Sequence, residues 1–467
     1  MSPAPGALTV GIDIGTTSVK VVAADAAGTV VARDRLPHPV RVPAPDRLEH
    51  DAEWVWRRAP VEALARLAPR LPAPPAAVAV AAMVPTLTAV DGDGRPVAPG
   101  LLYGDARGGR APRPDEPGDG HEMIGFLRWL VEQTPGAAGY WPAQAVANHA
   151  LAGAAAVDIA TAFGAMPLYG PEGWDEATCR DCGADPAALP EVVMMGAPLG
   201  PLADDPGVTL AAGTIDAVSE QLVAGADAVG DVLVLCGTTL IAWVVADEPV
   251  SVPGLWTIPH TTEGLWLVGG PSNAGGLFLG WADALLAPGG APAPGGDPGH
   301  RVAGGPDDPL AGLDPERIPV WAPYVRGERT PLHDPDRRAA LHGLDLTHGP
   351  GAVRRAAWEA SAFVVRRHLD LAGQAGLAAR RIVASGGATR IGGLMQALAD
   401  GTGLPVHVVA APEGAALGAA YLARLALTGS SDLAGAAAWA RTGRIVEPDP
   451  RWAEPTAERY ARFLTLP

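Results

Sequence analysis

The sequence predicts an α/β chain built from two similar domains, and two observations carry that reading. The first is a strand–turn–strand pattern near the N-terminus. Val10, Ile12 and Ile14 alternate with Gly11 and Asp13, the period-two signature of a half-buried strand. Gly15-Thr16-Thr17 makes a turn, Val19, Val21 and Ala23 resume the alternation, and Asp25 to Gly28 turns again before Thr29-Val30-Val31. The second observation is an echo of this segment. VGIDIGTTSVKVVAAD at 10–25 returns as VLVLCGTTLIAWVVAD at 232–247, with Val10/Val232, Gly15/Gly237, Thr16/Thr238, Thr17/Thr239, Val22/Val244, Ala24/Ala246 and Asp25/Asp247 coinciding. A shared Gly-Thr-Thr at the same corner is more than two apolar strands produce by chance. Two copies of one hairpin imply two α/β domains joined near residues 220–230, so the expected division is 1–224 and 225–467.

The 467 residues are ample for two large cores. One lysine stands among 34 basic residues, so arginine use here reflects a GC-rich coding style, and Lys20 is the exception to explain. A formal net charge of −17 argues against nucleic acid or an anionic membrane as a partner. No apolar run is long enough to span a bilayer, and no basic-then-apolar leader opens the chain. Together with only three cysteines, this leads us to expect a cytoplasmic protein. Cys179 and Cys182 have CxxC spacing but no second pair, and Cys236 is remote, so we expect free thiols in a surface turn and no zinc site.

Further elements follow in chain order. VAVAAMVPTLTAVDGDGRPV gives strands around an Asp-Gly-Asp-Gly turn, and LLYGDARGGR then places Asp105 and Arg107 in a loop. Left to itself, that pair reads as a solvated surface ion pair. Arg113 to Gly120 reads as a short linker, and Ala291 to Gly312, rich in Pro, Gly and Asp, as a longer mobile loop. VTLAAGTIDAVSEQLVAGA is a buried strand, a Gly-Thr turn and a helix headed by Asp216. An aspartate there is by default an N-cap, a role compatible with accepting a proton. RIVASGGATRIGGLMQALADGTGLPVHVV is strand, glycine loop, helix and strand, and Gly386-Gly387-Ala388 leaves room for a flat base against the backbone. In EGAALGAAYLARLAL, Gly414 and Gly418 lie four apart and suggest close helix packing rather than chemistry.

A Gly-Thr-Thr turn offers backbone N–H groups and two hydroxyls to an anion. Two such turns facing a common cleft would grip a polyphosphate. Asp13 suits a hydrated magnesium ion, usually held by one or two carboxylates plus phosphates. No GxxxxGK[ST] is present, so this is not a P-loop. The arrangement resembles the sugar kinase, actin and heat-shock chaperone superfamily. Within it, IGTTSVK, LYGDAR, AGTID, LCGTT, WAPYVRGERTPLHDP, ALHGL, AVRRAAWEAS, SGGATR and EGAALGAA, in that order over residues 8–427, resemble the FGGY carbohydrate kinases. GERTP at Gly327 to Pro331 is most similar to the xylulokinase branch.

The resemblance implies two actin-like (ribonuclease H-like) domains with a nucleotide cleft between them, ATP and Mg²⁺ as cofactors, and a small sugar or polyol as substrate. Asp216 matches the family's catalytic base and also contacts the sugar. Asp13, Gly15, Thr16, Thr17 and Lys20 match the first phosphate motif, with Asp13 toward the metal. Gly237, Thr238 and Thr239 match the second, and Gly386, Gly387 and Ala388 the adenosine motif. Asp105 and Arg107 match a loop of the sugar pocket. Lys20 would then follow the moving phosphoryl group with a point charge on a flexible stem. Five positions at three places depart from the xylulokinase pattern, all on the substrate side. Met83-Val84-Pro85 stands where Gln-Met-His is usual, Ala217 where Asn follows the base, and Phe126 where a lysine is expected. The expected activity is transfer of the γ-phosphoryl of MgATP to a sugar hydroxyl, with a ketopentose such as xylulose as acceptor. The alternatives are a kinase of another ketose or polyol, and a silent sugar-responsive nucleotide sensor. A homodimer is the assembly left open.

Overall fold

The computed structural model describes residues 6–44, 46–109, 121–286 and 312–466. The expected linker at 113–120 and all but the last residue of the expected loop at 291–312 lie outside the described residues. The chain divides into two compact units, Met1–Val223 with Glu413–Trp439, and Ala224–Pro412 with Ala440–Pro467.

The first unit is built on a six-stranded sheet of β1 (Leu8–Ile14), β2 (Ser18–Ala24), β3 (Val30–Pro37), β4 (Pro75–Ala82), β5 (Pro198–Pro201) and β6 (Thr209–Ala211), in spatial order β5-β6-β4-β1-β2-β3. The meander β1-β2-β3 is antiparallel, while β4 and β6 run parallel to β1. The second unit repeats this plan with β7 (Asp231–Cys236), β8 (Leu240–Ala246), β9 (Trp256–Pro259), β10 (Trp266–Ser272), β11 (Arg381–Ser385), β12 (Val406–Val409) and β13 (Thr442–Val446). Its order is β9-β10-β8-β7-β11-β12-β13, with β7-β8-β10 antiparallel and β11 and β12 parallel to β7. The sequence repeat is therefore a repeat of topology.

The period-two pattern of β1 has a different cause from the one expected. All seven residues of β1 are buried, so Gly11 does not face water. A Cβ on Gly11 would come within 1.8 Å of the Ala416 carbonyl oxygen, because the helix Gly414–Thr428 lies directly on that face. Only glycine permits this approach. The same helix explains why residues 413–439 belong to the first unit and not to an unbroken 225–467 domain. Its small residues Ala415, Ala416, Ala419 and Ala420 are buried, and Gly418 packs against the Ser219 carbonyl of the helix Asp216–Ala224. The Ser219 hydroxyl donates to the Ala415 carbonyl at 2.7 Å. The opposite face of the sheet holds Val10, Ile12, Ile14, Val19 and Val21 at 0% exposure. Each such side chain contributes about 1.5–3 kcal/mol through burial.

In the second unit a buried ionic network joins three helices. Arg355 donates to Glu359 and to Asp400, each at 2.8 Å, and Arg459 donates to Glu359 at 2.6 Å. The Arg355 guanidinium lies 4.1 Å over the Trp452 ring. Among the described residues no helix is long and apolar enough to cross a membrane. Cys179 and Cys182 form no disulfide, as expected, but they are buried rather than in a surface turn. Cys179 sits in a core cluster with Leu168, Tyr169 and Leu189, and burial pushes its thiol up to about 11.

Candidate active site

The first unit gathers Asp13, Gly15, Lys20 and Asp216. Asp13 and Lys20 are direct antiparallel partners on β1 and β2, so their side chains project from the same face. Lys20 Nζ donates to Asp13 Oδ2 at 2.8 Å. Burial works against the lysine charge, but the Asp13 carboxylate, with a smaller contribution from Glu220, outweighs it and raises the Lys20 pKa. Gly15 lies beside this pair, since a Cβ there would be 3.8 Å from Asp13 Oδ2 and 3.9 Å from Lys20 Nζ.

The register explains something the sequence alignment conceals. In the first hairpin Ile14 pairs with Val19, whereas in the second Cys236 pairs with Leu240. The first turn is one residue longer, which places Lys20 opposite Asp13. In the second hairpin the aligned Ala242 pairs with Val234, and Leu235 pairs with Ile241.

Asp216 opens the helix Asp216–Ala224 and is half-buried. Its Oδ1 accepts the N–H of the very next residue, Ala217, at 2.8 Å, and not one two or three residues on as an N-cap would. Burial and the negative charge of Asp13 push its pKa up to about 6, against the Ala217 N–H and the charge of Lys20. A carboxylate so tuned is ionised at neutral pH yet basic enough to take a proton. The segment before it is anchored by Asp158. That buried carboxylate accepts the Thr214 hydroxyl at 2.8 Å and the N–H groups of Ala160 and Thr161, while Ala82 N–H donates to the Thr214 carbonyl at 3.2 Å.

Asp13 Oδ1 is buried and, among the described residues, has no hydrogen-bond partner. An orphaned carboxylate oxygen costs stability unless a ligand satisfies it, and it fits a divalent cation. Among the described residues no cluster of three or more His, Cys, Asp or Glu could hold a metal.

Two residues outside every sequence motif, His50 and Trp56, brace the first Gly-Thr-Thr turn. His50 Nε2 bonds the Thr16 carbonyl at 2.8 Å, and the Trp56 indole N–H donates to His50 Nδ1 at 3.0 Å. Indole can only donate, so Nδ1 accepts and Nε2 carries the proton. Burial lowers the His50 pKa to about 3, which keeps this neutral tautomer. The Thr16 hydroxyl bonds Tyr103 Oη at 2.7 Å and approaches Met83 Sδ at 3.9 Å. Tyr103 belongs to LYGDAR, where the charged residues, and not the phenol, carry the sequence signal.

Met83 is buried, and Val84 and Pro85 are half-buried. Val84 Cγ2 would be 3.7 Å from a Cβ on Gly164, at the end of the helix Ile159–Phe163. Asp105 and Arg107 are not solvated. Asp105 is 1% exposed; its Oδ1 accepts Arg107 N and Nε, and its Oδ2 accepts Leu48 N and Arg107 Nη2. Arg107 also donates to Glu49 at 2.6 Å and lies 4.7 Å over the Trp129 ring. Every lone pair of Asp105 is used, so in this structure the pair braces its loop. Phe126 is fully buried in an apolar cluster, and Ala217 is half-buried.

The second unit brings its two predicted motifs together. Gly386 has φ +99°, and a Cβ there would be 2.7 Å from the Cys236 carbonyl oxygen, so the Gly386-Gly387-Ala388 turn lies against the strand end that leads into Gly237-Thr238-Thr239. Gly387 faces open space within 4 Å, and Thr238 and Thr239 are half-exposed. Ile391 N–H closes the turn onto the Ala388 carbonyl at 3.0 Å. A small pocket next to Ile391 is lined by Leu279, Ala282, Ala357 and Trp358, with the Asp283–Arg354 ion pair beside them.

Two α/β units with the same meander-plus-parallel core, each carrying a Gly-Thr-Thr hairpin, define an actin-like phosphotransferase fold. The chain matches the model of the FGGY family of carbohydrate kinases, N-terminal domain, over residues 8–111 and that of the C-terminal domain over residues 232–427. It is 30% identical over 475 residues to a xylulose kinase of Streptomyces coelicolor, covering 94% of this chain and 92% of that one. It is 27% identical to a gluconokinase of Bacillus subtilis, over 75% of this chain and 74% of the other. The crystal structure of a xylulose kinase from Rhodospirillum rubrum is similar, with a TM-score of 0.75 and 26% identity, covering 98% of this chain and 97% of that one. The protein belongs to the FGGY family of carbohydrate kinases and is a sugar kinase, a phosphotransferase with an alcohol group as acceptor.

Proposed function

We propose that this kinase transfers the γ-phosphoryl group of ATP to a hydroxyl of a small ketose or polyol, with Asp216 as the base. The observation that carries the proposal is Asp216 itself: a half-buried carboxylate with a pKa of about 6, coupled to the Asp13–Lys20 pair. The acceptor oxygen forms a bond to the γ-phosphorus as the bond to the β-bridging oxygen breaks. The hydroxyl proton passes to Asp216, and ADP leaves. Such transfer depends on positioning and on stabilising charge on the equatorial oxygens.

In this reading Lys20, Gly15, Thr16 and Thr17 form the first phosphate motif, and Gly237, Thr238 and Thr239 form the second. Gly386, Gly387 and Ala388 receive the adenosine. Asp13 would hold magnesium through its unpartnered Oδ1, and the ion would neutralise phosphate charge. Lys20 holds Asp13 in place from the other oxygen, so the single lysine of the chain acts on two groups at once. Asp105 and Arg107 shape the loop that presents Tyr103 to Thr16.

We assign the acceptor to the ketopentose class, on the similarity to xylulose kinases, but with a less polar face than D-xylulose. Met83, Val84 and Pro85 offer it no side-chain hydrogen-bonding group apart from a thioether. Phe163 and Met166, at the end of the helix that Val84 approaches, are 44% and 50% exposed. The test is ATP consumption against a panel of pentuloses, hexuloses, polyols and their deoxy analogues. Saturable turnover of one of these supports the assignment. Binding of ATP and sugar without transfer to any acceptor would make the protein a sensor instead.

A further inference from the structure

GERTP marks the family resemblance in the sequence, yet nothing in the proposed chemistry uses it. We propose that Glu328 of this motif is a positioning residue for the second Gly-Thr-Thr turn. It would act through the chain Ser272–Gly276 and so set the affinity of the site for the phosphates of the nucleotide. The inference rests on the reading of Gly237-Thr238-Thr239 as a phosphate turn.

The path consists of hydrogen bonds. Glu328 is 3% exposed. Its Oε2 accepts the Ser272 hydroxyl at 2.7 Å, and its Oε1 accepts the N–H of Asn273 at 2.9 Å and of Arg329 at 2.7 Å. Ser272 is the last residue of β10 and pairs with Leu240, the residue that follows Thr239. Its hydroxyl oxygen also accepts Ala274 N–H at 3.0 Å, and the Asn273 amide donates to the carbonyls of Arg326 and Gly327, each at 3.2 Å. The carboxylate thus clamps the loop that leads into the helix Gly276–Leu286.

That helix holds the turn from behind. Gly276 N–H donates to the Gly237 carbonyl at 2.9 Å, and Leu277 N–H donates to the Thr238 carbonyl at 3.0 Å. A Cβ on Gly275 would lie 2.2 Å from the Thr239 carbonyl carbon, so the loop fits against the turn with no slack. With its carbonyls bound on this side, the turn is left to present its N–H groups and hydroxyls to an anion. A buried carboxylate is an expensive way to hold a loop. Burial pushes Glu328 up to about 7 against the pull of its three donors. Thr330 completes the clasp: its hydroxyl donates to the Pro271 carbonyl at 2.8 Å.

The experiment measures calorimetric affinity for AMP-PNP with Mg²⁺ and, separately, for adenosine, on wild type, Glu328→Ala, Glu328→Gln and Ser272→Ala. Adenosine reports the base and ribose contacts alone. Loss of the clamp lets the turn shift, and Glu328→Ala should weaken AMP-PNP about tenfold or more while adenosine stays within about twofold. Glu328→Gln keeps an oxygen for the two backbone donors and an amide for Ser272, so it should recover AMP-PNP affinity to within about threefold. Folded Glu328→Ala with wild-type AMP-PNP affinity overturns the proposal. So does an equal loss of both ligands that Gln does not repair, which marks a merely structural residue. Should Glu328→Ala not fold, Ser272→Ala decides: a loss confined to AMP-PNP supports the clamp, and an unchanged affinity refutes it. A Thr238→Ala/Thr239→Ala control separates the two levels. If it leaves AMP-PNP affinity intact, the phosphate-turn reading itself fails; if it does not, the failure lies with Glu328 alone.

Discussion

Replacing Asp216 with asparagine tests the base and, unusually, makes opposite predictions for rate and stability. Asparagine has the same size, and its carbonyl can still accept the Ala217 N–H now bonded at 2.8 Å. Only the proton acceptor is lost. A positioned general base contributes about 10²–10⁴-fold, so transfer to the sugar should fall by that factor, while ATP affinity stays within about twofold. For stability the sign runs the other way. The folded pKa of about 6 lies above the ordinary 3.8, so the folded protein favours the protonated carboxyl. Stability from this group is full below pH 3.8 and is lost as pH rises through 6. The difference between those two values corresponds to about 3 kcal/mol, and partial exposure reduces this to about 1–2 kcal/mol. Asp216→Asn should therefore melt no lower than wild type at pH 7, and its stability should vary less between pH 4 and 6. Wild-type kcat should rise with pH through about 6 and level off above it. The assays are steady-state transfer, ATP calorimetry and thermal melts at pH 5 and 7. Near-normal transfer by the variant would refute the assignment. Asp105 offers no substitute base in this structure, because all its lone pairs are occupied.

Lys20→Ala should lower turnover at least a hundredfold. It should also cost about 1–3 kcal/mol, since it leaves the buried Asp13 carboxylate unpaired; thermal melts and steady-state kinetics check both, and intact turnover would show the lysine to be structural only. With Met83, Val84 and Pro85 lining the acceptor pocket, as proposed, the preference should favour deoxy or shorter analogues over D-xylulose; a kcat/KM for D-xylulose above every analogue in the panel would contradict this. Native protein at pH 8 should resist alkylation at Cys179, whose thiol is raised to about 11, and label fully only on unfolding; rapid native labelling there would place the cysteine outside the core.

Much of this was legible in the sequence because the turn chemistry is local. Gly-Thr-Thr after an apolar strand, twice, sets out the paired hairpins and the α/β topology that the structure displays. What stayed hidden depends on packing across long separations. The alternation of Gly11 with Val10 and Ile12 mimicked a strand facing water, yet it arises from a helix some 400 residues away. The one-residue difference in hairpin register is invisible in an alignment of the two segments, although it decides that Lys20 meets Asp13. His50 and Trp56 brace Thr16 through backbone and ring nitrogens, and no spacing rule anticipates that contact. Asp105 and Arg107 looked like charges at a surface because sequence reports charge and not burial.

The central claim is that a phosphoryl group moves from ATP to a sugar hydroxyl on this protein. Phosphorus NMR of the enzyme with MgATP and each panel acceptor measures it directly. The account predicts a new phosphomonoester signal with one acceptor class, growing in equal amount with ADP and slowed about a hundredfold or more with Asp216→Asn. ADP formed with inorganic phosphate alone, at a rate no acceptor changes, would contradict it.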